Sequence, residues 1–333
     1  MTHANTEYGP EHQPNGYSIR NDERAIKLLA KSLPKQLRID PKTLELLLID
    51  LDQTLIQPPD YEVPHFTQGV FNDIRRRTEV VTTLMTGRHP GSAEPYLDLL
   101  GIETYFIATH GARVQRKGLK PIYVESIHDN SAKKIHEIFY KLREEGLTED
   151  KAVLLFFQGN VAAHETSNSK VLKTYEKRNG NLQFWNVGPK PTFDVYKRNE
   201  LPEKIVIATD SKERAAYVKQ ELQKRIDDAT IQYLIVNETQ VEIIRSDVSK
   251  GFGARHILKE LRIKPQNALA FGDGFTDLTV VNEGIPLILL GNAPKDVKAA
   301  ARDLEARVAI VPLTVDDEAV AKIAKALILN GYT

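Results

Sequence analysis

The sequence predicts an α/β protein organised around a parallel sheet, and three observations carry that expectation. The run Leu44-Glu45-Leu46-Leu47-Leu48-Ile49 is rich in branched aliphatics and reads as a strand buried on both faces, as in a parallel sheet. Strand-like and helix-like segments alternate from residue 44 to about 127, and the chain returns to that region at Ser246. Residues 128–245 change character: paired strands lie among amphipathic helices, which suits a sheet covered on one face by helices.

Residues 1–20 are polar, hold Gly and Pro, and are expected to be loosely attached. A helix over 22–35, with Ile26, Leu29 and Leu33 on one face, completes an N-terminal extension (1–43) that docks on the core. After the strand at 44–49, a second at 79–85 precedes a helix that Pro90 can start and Gly101 can end. A strand at 104–108 follows. Segments 113–115 and 121–124, split by Lys117-Gly118, read as a hairpin. The middle region reads as a helix over 131–145, strands at 153–157 and 161–164, and a polar helix-like stretch over 168–177. A strand at 204–208, a helix over 212–226 and strands at 231–236 and 240–244 close it. A helix past residue 250, with Ile257, Leu258 and Leu261, leads to a strand at 268–271, and strands at 287–290 and 308–311 complete the sheet. The domains are therefore expected as 44–127 with 246–333, and an insertion at 128–245.

At 333 residues the chain has room for two domains or one large one. Its hydrophobic share of 41% is that of an ordinary soluble globular protein. Forty-five basic and 45 acidic residues cancel, so no global field draws it to nucleic acid or an anionic membrane, and neither is expected as a partner. No apolar stretch is long enough to span a bilayer and no signal-peptide core is visible, which makes a cytoplasmic location the default. The absence of cysteine excludes disulfides, thiolate zinc sites and cysteine-based phosphatase chemistry, leaving oxygen or nitrogen for any covalent nucleophile.

Asp50-Leu51-Asp52-Gln53-Thr54 ends the first strand. In an open α/β sheet ligands bind at the carboxyl ends of the strands. Asp50 and Asp52, two residues apart, project to the same side of an extended chain. Two like charges so close call for a cation or a shared proton, hence a metal site or an acid/base pair; an acidic strand-to-loop turn is the alternative reading. The second strand ends in Thr86-Gly87-Arg88. Lys250 precedes a helical pattern, and the strand at 268–271 ends in Gly272-Asp273-Gly274-Phe275-Thr276-Asp277.

These four segments, in this order and each at a strand end or helix start, resemble the four motifs of the haloacid dehalogenase superfamily of phosphohydrolases, over the chain from about residue 44 onward. The position and make-up of the insertion resemble the C2-type cap of its Cof-like (type IIB) branch. The resemblance implies a Rossmann-like three-layer core with a parallel sheet and an inserted α+β cap. It also implies an Mg-dependent phosphatase acting on a small phosphorylated metabolite, with a sugar phosphate the leading substrate class. By resemblance Asp50 attacks phosphorus to form an aspartyl-phosphate. Asp52 protonates the leaving alcohol and then deprotonates water. Thr86 and Lys250 serve catalysis at the phosphate, with Gly87, Arg88 and Thr276 as further phosphate-binding residues. Mg2+, which prefers oxygen ligands, is implied at Asp50, Asp273, Asp277 and the main-chain carbonyl of Asp52.

Three departures from the Cof-like pattern stand out. Gln53 occupies a position where Gly is usual, Thr276 one where Asn is usual, and His110 one where Asn is usual. The last two are reminiscent of trehalose-6-phosphate phosphatases, and the first is shared with sucrose-phosphatase-like relatives, so an enzyme of that type is one alternative. A phosphosugar mutase is another, and a stable bisphosphorylated product would distinguish it. The non-enzyme alternative is a ligand-binding scaffold on an inactive phosphatase fold, which the loss of an acidic motif residue would support; Asp50, Asp52, Asp273 and Asp277 are all present. Substrate choice is expected from the cap, where Gln158, His164, Trp185, Tyr196 and Lys197 are polar or aromatic candidates. The particular substrate, the oligomeric state and the role of the N-terminal extension stay open at this point.

Overall fold

The computed structural model describes residues 23–58, 60–165, 169–179, 181–188, 192–196, 201–304 and 307–329. The expectation for residues 1–20 and the candidate Lys197 lie outside them. In chain order the first part holds α1 (Glu23–Leu37), β1 (Leu46–Ile49), α2 (His65–Arg77), β2 (Val81–Leu84), α3 (Pro90–Leu100), β3 (Tyr105–Ala108), β4 (Arg113–Arg116) and β5 (Tyr123–Val124). The insertion holds α4 (Asp129–Glu144), β6 (Ala152–Gln158), β7 (Val161–His164), α5 (Lys170–Arg178), β8 (Gln183–Asn186), α6 (Phe193–Tyr196), β9 (Lys204–Thr209), α7 (Lys212–Arg225), β10 (Ile231–Val236) and β11 (Gln240–Arg245). The last part holds α8 (Lys250–Leu261), β12 (Ala268–Gly272), α9 (Phe275–Leu278), β13 (Leu287–Leu289), α10 (Lys295–Arg302), β14 (Val308–Ile310) and α11 (Ala319–Ala324).

The core sheet runs β14-β13-β12-β1-β2, and every pairing in it is parallel. Alternate residues of β1 enter two different cores, as the period of a strand requires. Leu47 and Ile49 pack with α1, α2, α3 and α11, while Leu46 and Leu48 pack with α8 and α10. This is the expected three-layer α/β arrangement. Helix α1 joins the first layer through Leu33 and Leu37. Helix α3 starts on Pro90 and ends on Gly101 in the left-handed region (φ 64), as read from the sequence. Because β1, β2 and β12 are parallel and in register, with Ile49 opposite both Leu84 and Phe271, their carboxyl ends share one sheet edge.

The insertion is a six-stranded sheet, β10-β11-β9-β6-β7-β8, antiparallel except for the β7–β8 pair. One face packs on α4 and α7, as expected. The other face is not bare: Val153, Leu155 and Phe157 of β6 pack with Val171, Leu172 and Tyr175 of α5. The reason lies in β6 itself, Ala-Val-Leu-Leu-Phe-Phe, which has no polar alternation and so must be covered on both sides. Strand β8 is an addition to the expected set; its polar ends, Gln183 and Asn186, are exposed. Among the described residues no helix is long and apolar enough to cross a membrane.

Candidate active site

Asp50 follows β1 directly and is 5% exposed. Its Oδ1 accepts from Lys250 Nζ at 2.6 Å, and the same ammonium donates to Asp277 Oδ1 at 2.8 Å. Thr54 Oγ1 lies 3.2 Å from both Asp50 Oδ2 and Asp273 Oδ1. Asp277 Oδ2 accepts the main-chain N–H groups of Asp273 and Gly274, which fixes the turn after β12. Gly272 allows this approach, since a Cβ there would sit 2.3 Å from Asp277 Cγ. Carboxylate oxygens of Asp50, Asp273 and Asp277 lie within 4.8 Å of one another.

Two of these three carboxylates thus share one ammonium, and the third meets the Thr54 hydroxyl. Burial, with Asp277 alongside, pushes the Asp50 carboxyl well up, and the same two causes push Asp273 up to about 7. Burial alone would lower the Lys250 ammonium, but Asp277 and Asp50 outweigh it and hold the group charged. The cluster gathers three carboxyl groups, all hard oxygen donors, against one ammonium. That donor set fits a divalent cation of the magnesium or calcium kind.

Asp52 is held differently. Arg88 grips its carboxylate with both arms, Nε to Oδ2 at 2.8 Å and Nη2 to Oδ1 at 2.6 Å, so this carboxylate is not part of the triad. Gln53, between the two aspartates, has φ 60, and His110 has φ 56. Both therefore sit in the left-handed region, which accounts for Gly and Asn as the residues of the pattern they depart from. Thr86 is fully buried, and its Oγ1 accepts the Arg88 N–H at 3.1 Å, leaving the hydroxyl proton uncommitted by that bond.

Asp50, Asp52, Gly87, Arg88, Lys250, Asp273, Thr276 and Asp277 all border one cleft of about 700 Å3 between the core and the insertion. The opposite wall comes from the insertion and includes Tyr175, Asn179, Lys204, Asn237, Gln240 and Glu242. Lys204 and Glu242 are buried, and their side chains meet at 3.0 Å. Burial alone would raise Glu242, yet Lys204 and His110 bring it down to about 2, so it is a carboxylate at neutral pH.

The family model of haloacid dehalogenase-like hydrolases matches residues 47–323. This chain belongs to that family. Among curated relatives of this hydrolase, the HMP-PP phosphatase of Serratia proteamaculans is 23% identical over 264 residues, covering 78% of this chain and 88% of that protein. Among solved structures, a Thermotoga maritima protein is similar with a TM-score of 0.68 at 23% identity, covering 85% of this chain and 97% of that one. A HAD/COF-like hydrolase from Plasmodium vivax gives 0.68 at 18%, covering 91% and 100%. A HAD subclass IIB sugar phosphatase gives 0.63 at 19%, covering 84% and 98%. The fold of this hydrolase is therefore the haloacid dehalogenase core with a cap, in its Cof-like form.

The motif residues read from the sequence of the hydrolase converge on the cleft, with Thr86 beneath its surface rather than on it. The cap candidates fare otherwise. Tyr196 is buried and donates to Glu165 Oε2 at 3.0 Å, His164 is buried beside Phe184, and Trp185 lines a separate depression. Gln158, at the end of β6, is likewise absent from the cleft lining. None of the cap residues that reach the cleft is among the sequence candidates, the buried pair Lys204 and Glu242 included. A signal for the pair exists: Lys204 is the one charge on β9, and Glu242 interrupts the apolar residues of β11, in phase with Val206 on the face turned to the core.

Proposed function

We propose that this HAD-type phosphatase hydrolyses a small phosphorylated metabolite, a sugar phosphate in the first instance, through an aspartyl-phosphate on Asp50 with Mg2+ as cofactor. One observation carries the reading: Asp50 is buried at the strand end between Lys250 and the Asp273–Asp277 turn, facing a cleft whose far wall is polar. The same reading takes residues 44–127 and 246–333 as the catalytic core, 128–245 as the cap, and 1–43 as an extension.

Asp50 attacks phosphorus as the ester P–O bond breaks, and the departing alcohol oxygen takes a proton from Asp52. Asp52 then accepts a proton from the water that attacks the aspartyl-phosphate, releasing phosphate and restoring Asp50. Lys250 orients Asp50 and offsets phosphoryl charge, and the Thr86 hydroxyl and the loop at Gly87 and Arg88 offer donors to phosphate oxygens. Asp50, Asp273, Asp277 and the Asp52 carbonyl would hold Mg2+, whose charge offsets the repulsion between an anionic nucleophile and a phosphate dianion. A polyhydroxy leaving group suits the cleft because Tyr175, Asn179, Asn237 and Gln240 bring donors and acceptors to one wall.

A panel of phosphorylated metabolites assayed with Mg2+ and with chelator tests the assignment. Metal-dependent phosphate release, strongest on sugar phosphates, is the expected result. Release from none of the panel, or release indifferent to chelation, overturns it. Accumulation of a bisphosphorylated sugar would replace hydrolysis with mutase chemistry.

A further inference from the structure

The segment that follows the second strand, residues 87–91, is gripped from the insertion at every second residue. Lys204 Nζ donates to the Gly87 carbonyl at 3.1 Å and to Glu242 Oε1 at 3.0 Å. Phe157 stacks on His89 with centroids 5.6 Å apart and planes 10° from parallel, and Asn179 Oδ1 lies 3.3 Å from His89 Nε2. Asn160 Oδ1 accepts the Gly91 N–H at 2.5 Å, at the first turn of α3. Glu242 also ties in the core from below: its Oε2 is 2.6 Å from His110 Nε2, and the His110 ring fills the space a Gly87 Cβ would need, with Cε1 2.2 Å from that point.

This segment carries Gly87 and Arg88, and Arg88 orients Asp52. On the other side the core holds it through main-chain bonds, Thr109 N to Arg88 O and His110 N to Thr86 O, and through the Arg88 side chain on Asp52. The phosphate loop is therefore held from both domains, and part of what fixes it belongs to the insertion.

We propose that Lys204, Glu242 and Asn160 are positioning residues for phosphoryl transfer: they set the geometry of the 86–91 loop only when the cap lies against the core, so that the cap acts on the chemical step and not only on the choice of substrate. The inference rests on the phosphatase reading above for its catalytic half; its mechanical half, loop order set by cap contacts, stands separately. Lys204 is buried between the loop carbonyl, Glu242 and the Phe157 ring, and so is placed to hold the loop rather than to reach a leaving group. Asn160 lines no part of the cleft, and its side-chain carbonyl is bonded to the loop.

The test pairs hydrogen exchange with kinetics on 4-nitrophenyl phosphate, whose leaving group is too small and activated to need cap recognition. The full chain is compared with Lys204→Met, the conservative Lys204→Arg, and Asn160→Ala, a turn substitution that leaves no buried charge unpaired. In Lys204→Met and Asn160→Ala, exchange over residues 86–91 is expected to speed up by at least about tenfold while the strands β1 and β12 keep their protection. In the same variants kcat is expected to fall about 10- to 100-fold with KM little changed, and Lys204→Arg to recover part of it. Wild-type protection and wild-type kcat in both variants overturn the proposal. A fall in kcat with unchanged loop protection also overturns it, by making Lys204 a substrate contact. If Lys204→Met does not fold, Asn160→Ala decides alone. If the unmodified protein hydrolyses no phosphomonoester, the phosphatase reading fails and the catalytic half with it, while the exchange measurement still decides whether the cap orders the loop.

Discussion

Arg88 holds Asp52 through both arms of its guanidinium while the rings of Tyr61 and Tyr96 flank it at 5.4 and 5.3 Å. A planar fork between two aromatic faces has little freedom, so the carboxylate it binds has little freedom either. Lysine keeps the charge and loses the fork. Arg88→Lys is expected to lower kcat roughly tenfold with a smaller change in KM, because the proton donor is misaimed rather than the substrate released. Steady-state kinetics on an unactivated alkyl phosphate checks this, and an unchanged kcat would detach Asp52 from Arg88 in the mechanism.

His89 is buried against Phe157, and burial, reinforced by the Lys204 charge, brings its imidazole down from 6.5 to about 3. The folded state therefore binds fewer protons than the unfolded state over that range. The stability held by neutral His89 is complete above the unfolded value of 6.5 and is lost as the pH falls toward about 3. By about pH 5 the loss is on the order of 2 kcal/mol. Urea unfolding as a function of pH should show this slope, and His89→Phe, which keeps the stack and removes the titration, should flatten it. A His89→Phe protein with the full acid slope would place the proton uptake elsewhere.

Asp273 is the triad member with no ammonium bonded to it; its side chain meets the Thr54 hydroxyl instead. Removing it takes away a hard oxygen donor without exposing Lys250. Asp273→Ala is expected to raise the Mg2+ concentration needed for half-maximal activity by about tenfold or more, or to abolish activity, since magnesium sites are built from few carboxylates. Titrating activity against Mg2+ reads this directly. A superimposable curve would remove Asp273 from the metal site.

Local signals and the four motifs make the core legible in the sequence alone. The all-apolar strand at 46–49, Pro90 and Gly101 at the ends of α3, and acidic residues at the strand ends each have a nearby physical cause. The cap sheet is legible as elements but not as a site. Lys204 and Glu242 look like ordinary surface charges until the register of β9 and β11 turns them inward beside Val206. The covering of β6 by α5 follows from its unbroken apolar run. The grip on residues 87–91 has no such local sign, because it joins residues such as Asn160 and Gly91 that are 69 positions apart and carry no motif.

The central claim is that Asp50 is the nucleophile, and phosphate release by Asp50→Asn tests it most directly. The amide is nearly isosteric, cannot form the aspartyl-phosphate, and relieves a crowded buried carboxylate, so the fold should persist with an unchanged or higher melting temperature. With Mg2+ present and the melting curve confirming a folded protein, we predict no turnover above background on any substrate the unmodified chain hydrolyses. Turnover near the wild-type rate in that folded variant would contradict the account.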